Sequence, residues 1–120
     1  MKDKYQQNGF YSPLKLFSLE QAKVYRNYLE EVENKIGPLH YFAKTYTMMR
    51  WVYDVATNNI LLDFIEDLIG QNILLYNATF IIKEPMTKTH VSWHQDLTYW
   101  GFNENEKQVS VWIALSNADD

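Results

Sequence analysis

The chain has 120 residues, 47% of them apolar and 16% aromatic, with 11 Lys and Arg against 15 Asp and Glu. That apolar share excludes a disordered chain, and a net charge of −4 argues against a nucleic-acid binder, which needs a basic surface to neutralise phosphates. Cysteine is absent, so disulfides, zinc–thiolate sites and cysteine nucleophiles are excluded as well.

The first half reads as helical. Ser18-Leu19-Glu20-Gln21 has the form of a capping box, in which Ser18 caps the N3 amide and Gln21 reaches back. The helix is predicted to run to residue 34, with Leu19, Ala22, Val24, Tyr25, Tyr28, Leu29 and Val32 on one face and Gly37-Pro38 as its stop. A second helix is predicted over residues 46–56. Asn58-Asn59 ends it and can cap a third over residues 60–69, where Ile60, Leu61, Phe64, Ile65, Leu68 and Ile69 recur at three and four and Gly70 closes the helix.

Beyond Gly70 the period changes to two. Residues 73–83 read as a long strand, residues 91–95 as a short one, and residues 109–115 as a third that sets Val109, Val111, Ile113 and Leu115 opposite Ser110, Trp112 and Ala114. Residues 97–107 form an aromatic, then acidic loop, and Asp119-Asp120 reads as an exposed turn. Helices first and antiparallel strands later predict an α+β fold. The N-terminus is polar with no signal-peptide core, and no apolar run approaches the roughly 20 residues that span a bilayer. The expectation is therefore a cytoplasmic protein with no membrane and no nucleic-acid partner.

One short motif carries chemistry. In an extended segment the residues of His94-Gln95-Asp96 that lie two apart face the same way, so an imidazole and a carboxylate can take adjacent positions on one metal ion. That is two-thirds of the two-His-one-carboxylate triad of non-haem iron(II) oxygenases. On spacing alone, a surface histidine beside a turn aspartate explains the pair as well. The flanking aromatics, Trp93, Tyr99 and Trp100, favour an iron site, because a dry wall limits loss of reactive intermediates to water. Tyr99 and Trp100 serve equally as core aromatics or as substrate contacts. His90 would lie about 13 Å from His94 along a regular strand, too far for one metal without a bend. His40 reads as a structural or surface histidine.

The runs Phe80-Ile81-Ile82-Lys83-Glu84-Pro85, Val91-Ser92-Trp93-His94-Gln95-Asp96-Leu97-Thr98-Tyr99-Trp100-Gly101 and Val109-Ser110-Val111-Trp112-Ile113-Ala114-Leu115 resemble, in order and spacing, the phytanoyl-CoA dioxygenase family. The resemblance implies a double-stranded β-helix, a jelly-roll relative of the cupins, and a hydroxylase that uses Fe(II), 2-oxoglutarate and O2 on a small-molecule substrate. It makes His94 and Asp96 iron ligands. Gln95, Trp112 and Thr79 then face the 2-oxoglutarate pocket, as does Lys44 once a gap is allowed, with Tyr99 and Trp100 at the substrate pocket. The carboxylate at Asp96 sets the chain apart from related halogenases, which lack it. The family's later Gly-Ser-His segment, its distal iron-binding His and its 2-oxoglutarate-binding Arg are not among the 120 residues.

The sequence therefore predicts one incomplete domain, with residues 1–70 as a helical layer packed on part of the barrel and residues 71–120 as its first strands. Two other readings stay open: an inactive truncated fragment that self-associates through open strand edges, and a cupin-like module that binds a small ligand without turnover.

Overall fold

Ser18 starts the principal helix as its sequence predicts. Its hydroxyl accepts the Gln21 N–H at 3.3 Å while Gln21 Oε1 accepts the Ser18 N–H at 3.0 Å, so two otherwise unpaired donors are satisfied together. This is a computed structural model, and it describes residues 1–88, 90–103 and 107–117. Helix α1 is Lys2–Asn8, α2 is Leu19–Ile36, α3 is Arg50–Ala56, α4 is Asn59–Ile69 and α5 is Asp96–Trp100, with a 3-10 turn at Thr45–Thr47. Glu104, Asn105 and Glu106 of the acidic loop, and Asp119-Asp120, lie outside the described residues.

Replacing Ser18 by alanine removes one half of this cap. The expected loss is about 1 kcal/mol, read as a lower urea midpoint followed by helical circular dichroism. An unchanged midpoint would show that the cap contributes nothing to α2.

Helix α2 ends two residues later than its periodicity predicts. The Gly37 N–H bonds the Glu33 carbonyl at 2.8 Å with φ at 96°, a left-handed value that glycine adopts without cost. Glu33 Oε1 then accepts the Leu39 N–H at 2.8 Å, which turns the chain back on the helix. Leu39 is thereby driven into the core, 1% exposed, against Leu29, Met49 and Val52.

The predicted second helix is interrupted. Thr45 is fully buried, and both its N–H and its hydroxyl donate to the Ala78 carbonyl, at 3.0 and 2.9 Å. Thr47 bonds back to the Lys44 carbonyl and Met49 is extended, so regular helix begins only at Arg50. β-branched threonines with local acceptors favour this outcome over continuous helix. Helix α4 matches its pattern: Asn58 caps it by accepting the Ile60 N–H at 2.9 Å, and Leu61, Phe64 and Ile65 are buried. Helix α1, which no apolar stripe announced, packs on α4.

Neither the α+β class nor the jelly roll expected from the sequence is met. The described residues hold no regular strand, sheet or barrel, and the one β-bridge is a parallel contact between His40 and Phe80. The period-two pattern of residues 73–83 is real, but it serves another partner. Ala78, Phe80 and Ile82 pack alternately on the helical core, joined by Leu115. Trp51 sits between Tyr25 and Phe80, with ring centroids 5.3 and 5.7 Å away. Alternation selects a buried face; only ladder partners on both sides make a strand part of a sheet. Here the backbone is bonded by residues 40–46. The Tyr41 N–H bonds the Phe80 carbonyl at 2.9 Å, the Lys44 N–H bonds Asn77 Oδ1 at 2.7 Å, the Thr79 hydroxyl bonds the Phe42 carbonyl at 2.9 Å, and His40 Nδ1 accepts the Ile82 N–H at 2.8 Å. His40 is thus structural. Tyr41 and Lys44 take left-handed φ values of 58° and 56° to make this clasp. The segments predicted as strands at residues 91–95 and 109–115 form no ladder either.

Among the described residues no helix is long and apolar enough to cross a membrane.

Candidate metal centre

The motif His94-Gln95-Asp96 lies where extended chain turns into helix. Gln95 is the extended N-cap of α5, with φ −117° and ψ 120°, and Asp96 is its first helical residue. The turn brings the two side chains together, with His94 Nε2 3.0 Å from Asp96 Oδ1. Helix α5 was not foreseen, since the aromatic run after Asp96 reads as a loop. Its far end is tied down by an aromatic trio: Trp100 and Phe102 lie 4.9 and 4.8 Å from the Tyr76 ring.

Each side chain of the pair has a second partner. His94 Nδ1 lies 2.7 Å from the Ser92 carbonyl, and Asp96 Oδ2 accepts the Ser110 hydroxyl. A carbonyl and a carboxylate only accept, so both ring bonds form at once when the imidazole carries a proton on each nitrogen. The His94 pKa is accordingly raised, first by the Ser92 carbonyl and then by the Asp96 charge, with burial opposing. The Ser92 bond also fixes the tautomer: when Nε2 loses its proton, Nδ1–H stays on the carbonyl and the Nε2 lone pair points at Asp96.

The spacing fits one metal ion. Ligand bonds of about 2.1 Å meeting at a right angle place their donor atoms about 3.0 Å apart, which is the separation of Nε2 and Oδ1. Neither side chain is fully exposed, at 29% and 28%. Among the described residues no group of three or more His, Cys, Asp or Glu side chains converges. His90 lines neither cleft beside the pair and turns Nδ1 toward the Lys88 carbonyl at 3.5 Å.

The pair opens on two adjoining clefts. The larger, about 480 Å³, is walled by Tyr41, Trp93, Tyr99 and Trp100 around His94 and Asp96. The smaller, about 240 Å³, lies between Trp93 and Trp112 and shares His94. The structure therefore gathers His94, Asp96, Tyr99, Trp100 and Trp112. Gln95 lines neither cleft, and Thr79 and Lys44 sit in the clasp with residues 40–45 and 77–82. Sequence reading missed two residues. Ser110 carried a signal, because the period of two places it beside Trp112. Tyr41 carried none, because only the clasp brings it to the cleft.

Comparison with protein-family models settles what kind of chain this is: the phytanoyl-CoA dioxygenase (PhyH) model matches residues 5–120. The chain belongs to the phytanoyl-CoA dioxygenase family. Among curated proteins and among solved structures, the comparisons found no match. Membership points to an oxygenase of the Fe(II)/2-oxoglutarate type. Within this phytanoyl-CoA dioxygenase family chain, the aromatic clefts and the His94–Asp96 pair form one contiguous site.

Proposed function

We propose that His94 and Asp96 are iron(II) ligands of a 2-oxoglutarate-dependent hydroxylase acting on a C–H bond of a small organic substrate. The observation that carries this is the 3.0 Å approach of His94 Nε2 to Asp96 Oδ1, with Nδ1 anchored on the Ser92 carbonyl, in a chain of this family. Iron bound there supplies the oxidation, coupling O2 and the decarboxylation of 2-oxoglutarate to hydroxylation of the substrate.

The protein's own part is binding and orientation. His94 releases its Nε2 proton when the metal binds and keeps Nδ1–H on Ser92, so the ring does not turn. Tyr99 meets the His94 ring edge-on at 6.3 Å and Trp100 is fixed by Tyr76, so two aromatic walls stand on a braced helix. Tyr41 and Trp93 complete the larger cleft. Trp112, beside His94 in the smaller cleft, supports a 2-oxoglutarate contact there. Gln95 joins the proposal as the residue between the ligands. Thr79 and Lys44 are left out of it, because the Thr79 hydroxyl donates to the Phe42 carbonyl and Lys44 lines neither cleft.

An anaerobic titration tests the reading. Fe(II) and 2-oxoglutarate are expected to give the weak visible charge-transfer band of the chelate in a longer chain that also supplies the distal His and the 2-oxoglutarate-binding Arg, neither of which is among these 120 residues. Admitting O2 with candidate substrates should then yield succinate. Chelation without succinate would favour the binding-module reading. No band at saturating Fe(II) and 2-oxoglutarate in that longer chain would refute the iron site.

A further inference from the structure

We infer that Ser110 is a positioning residue that holds Asp96 to a single metal-facing oxygen. The inference rests on the reading of His94 and Asp96 as ligands and adds a residue to it.

The two oxygens of Asp96 are differently engaged. Oδ1 lies 3.0 Å from His94 Nε2, and Oδ2 accepts the Ser110 hydroxyl. An unrestrained carboxylate turns easily about its last torsion, which is broad and two-fold, and so exchanges its oxygens or offers both. A hydrogen bond to the ionised group is among the stronger kinds, and it resists that turn. A carboxylate that chelates takes two positions on a metal; one with Oδ2 occupied by a donor takes one. A site that must also accept a bidentate co-substrate keeps the position thus left open.

The contact is not an accident of a tight turn, because Ser110 lies 14 residues beyond Asp96. Its segment is anchored on the C-terminal side. Trp112 stands on the same side as Ser110 and lines the cleft next to His94, while Leu115 packs on the core of Leu29, Leu39, Met49 and Val52. The arrangement also excludes a hydrolytic role for Ser110. Its hydroxyl faces a carboxylate and not the imidazole, so the relay that activates a serine nucleophile is not assembled.

The test uses the 120-residue chain with Co(II), an air-stable probe for the Fe(II) site. Ser110→Ala is expected to raise the Co(II) dissociation constant 10- to 100-fold, the usual range for an outer partner of a ligand. The visible d–d bands should also change in intensity as the carboxylate becomes free to chelate. Ser110 is exposed, so Ser110→Thr has room for its methyl group and should restore both readouts. Unchanged affinity and bands in Ser110→Ala, with binding lost in His94→Ala, would overturn the inference and leave the ligand reading standing. If no variant binds Co(II), the ligand reading fails and the metal-free chain decides for Ser110. There the His94 ring nitrogen signals should move toward those of a solvated imidazole in Ser110→Ala and return in Ser110→Thr; signals that stay put overturn the inference.

Discussion

Replacing His94 by alanine lowers the affinity of the chain for Fe(II) by more than about 100-fold, and Asp96→Ala does the same. The magnitude follows from comparison with outer partners, whose loss already costs about 10- to 100-fold. Each of these substitutions removes a donor atom itself, and His94 and Asp96 are the two donors the described residues bring together. Both side chains are partly exposed, so neither change opens a core cavity. Global stability should therefore stay near that of the parent, which separates a lost ligand from a lost fold. Isothermal titration under anaerobic conditions, run beside a urea melt, makes the measurement. Full affinity in either variant would remove that residue from the ligand set.

Leu39→Ala is expected to have the largest effect on stability. Leu39 is 1% exposed and packs against Leu29, Met49 and Val52, where α2 meets α3. Truncating a buried leucine costs about 2–5 kcal/mol through lost transfer energy and the cavity left behind. Against a net stability of about 5–15 kcal/mol, that is a large fraction. With a urea slope near about 2 kcal/mol/M, the midpoint falls by about 1–2.5 M. Leu39→Met, which conserves volume, should cost less than about 1.5 kcal/mol. Equal effects from the two substitutions would show that volume at this position is not what matters.

The capped helices were legible because their signals are local. Ser18 with Gln21, Asn58 before Ile60, and glycine at 37 and 70 each act within one turn of chain. The approach of His94 to Asp96 was legible for the same reason: two residues of separation bring the side chains together. The sheet was misread because alternation in Ala78, Phe80 and Ile82 reports a buried face and not the identity of what buries it. That face lies on helix residues and Leu115, and the backbone finds residues 40–45 in place of neighbouring strands. Helix α5 was missed because five residues, three of them aromatic or β-branched, carry no helical stripe. The predicted second helix starts at Arg50 and not at residue 46, beside a Thr45 whose bond to Ala78 no local pattern encodes.

The clasp between residues 40–45 and 77–82 separates two properties of the site. The His94–Asp96 pair, proposed above as ligands, is made of neighbours along the chain and needs no distant partner to bring it together. Confinement draws on Tyr41, which reaches the cleft only because its N–H is held by the Phe80 carbonyl. Loop closure of this kind carries an entropic cost that grows with the length of chain enclosed, and both clasp residues with left-handed φ add backbone strain. A loosened clasp therefore leaves the ligand pair intact and opens its wall. The proposed ligand pair and the far wall of its cleft are held by different parts of the molecule.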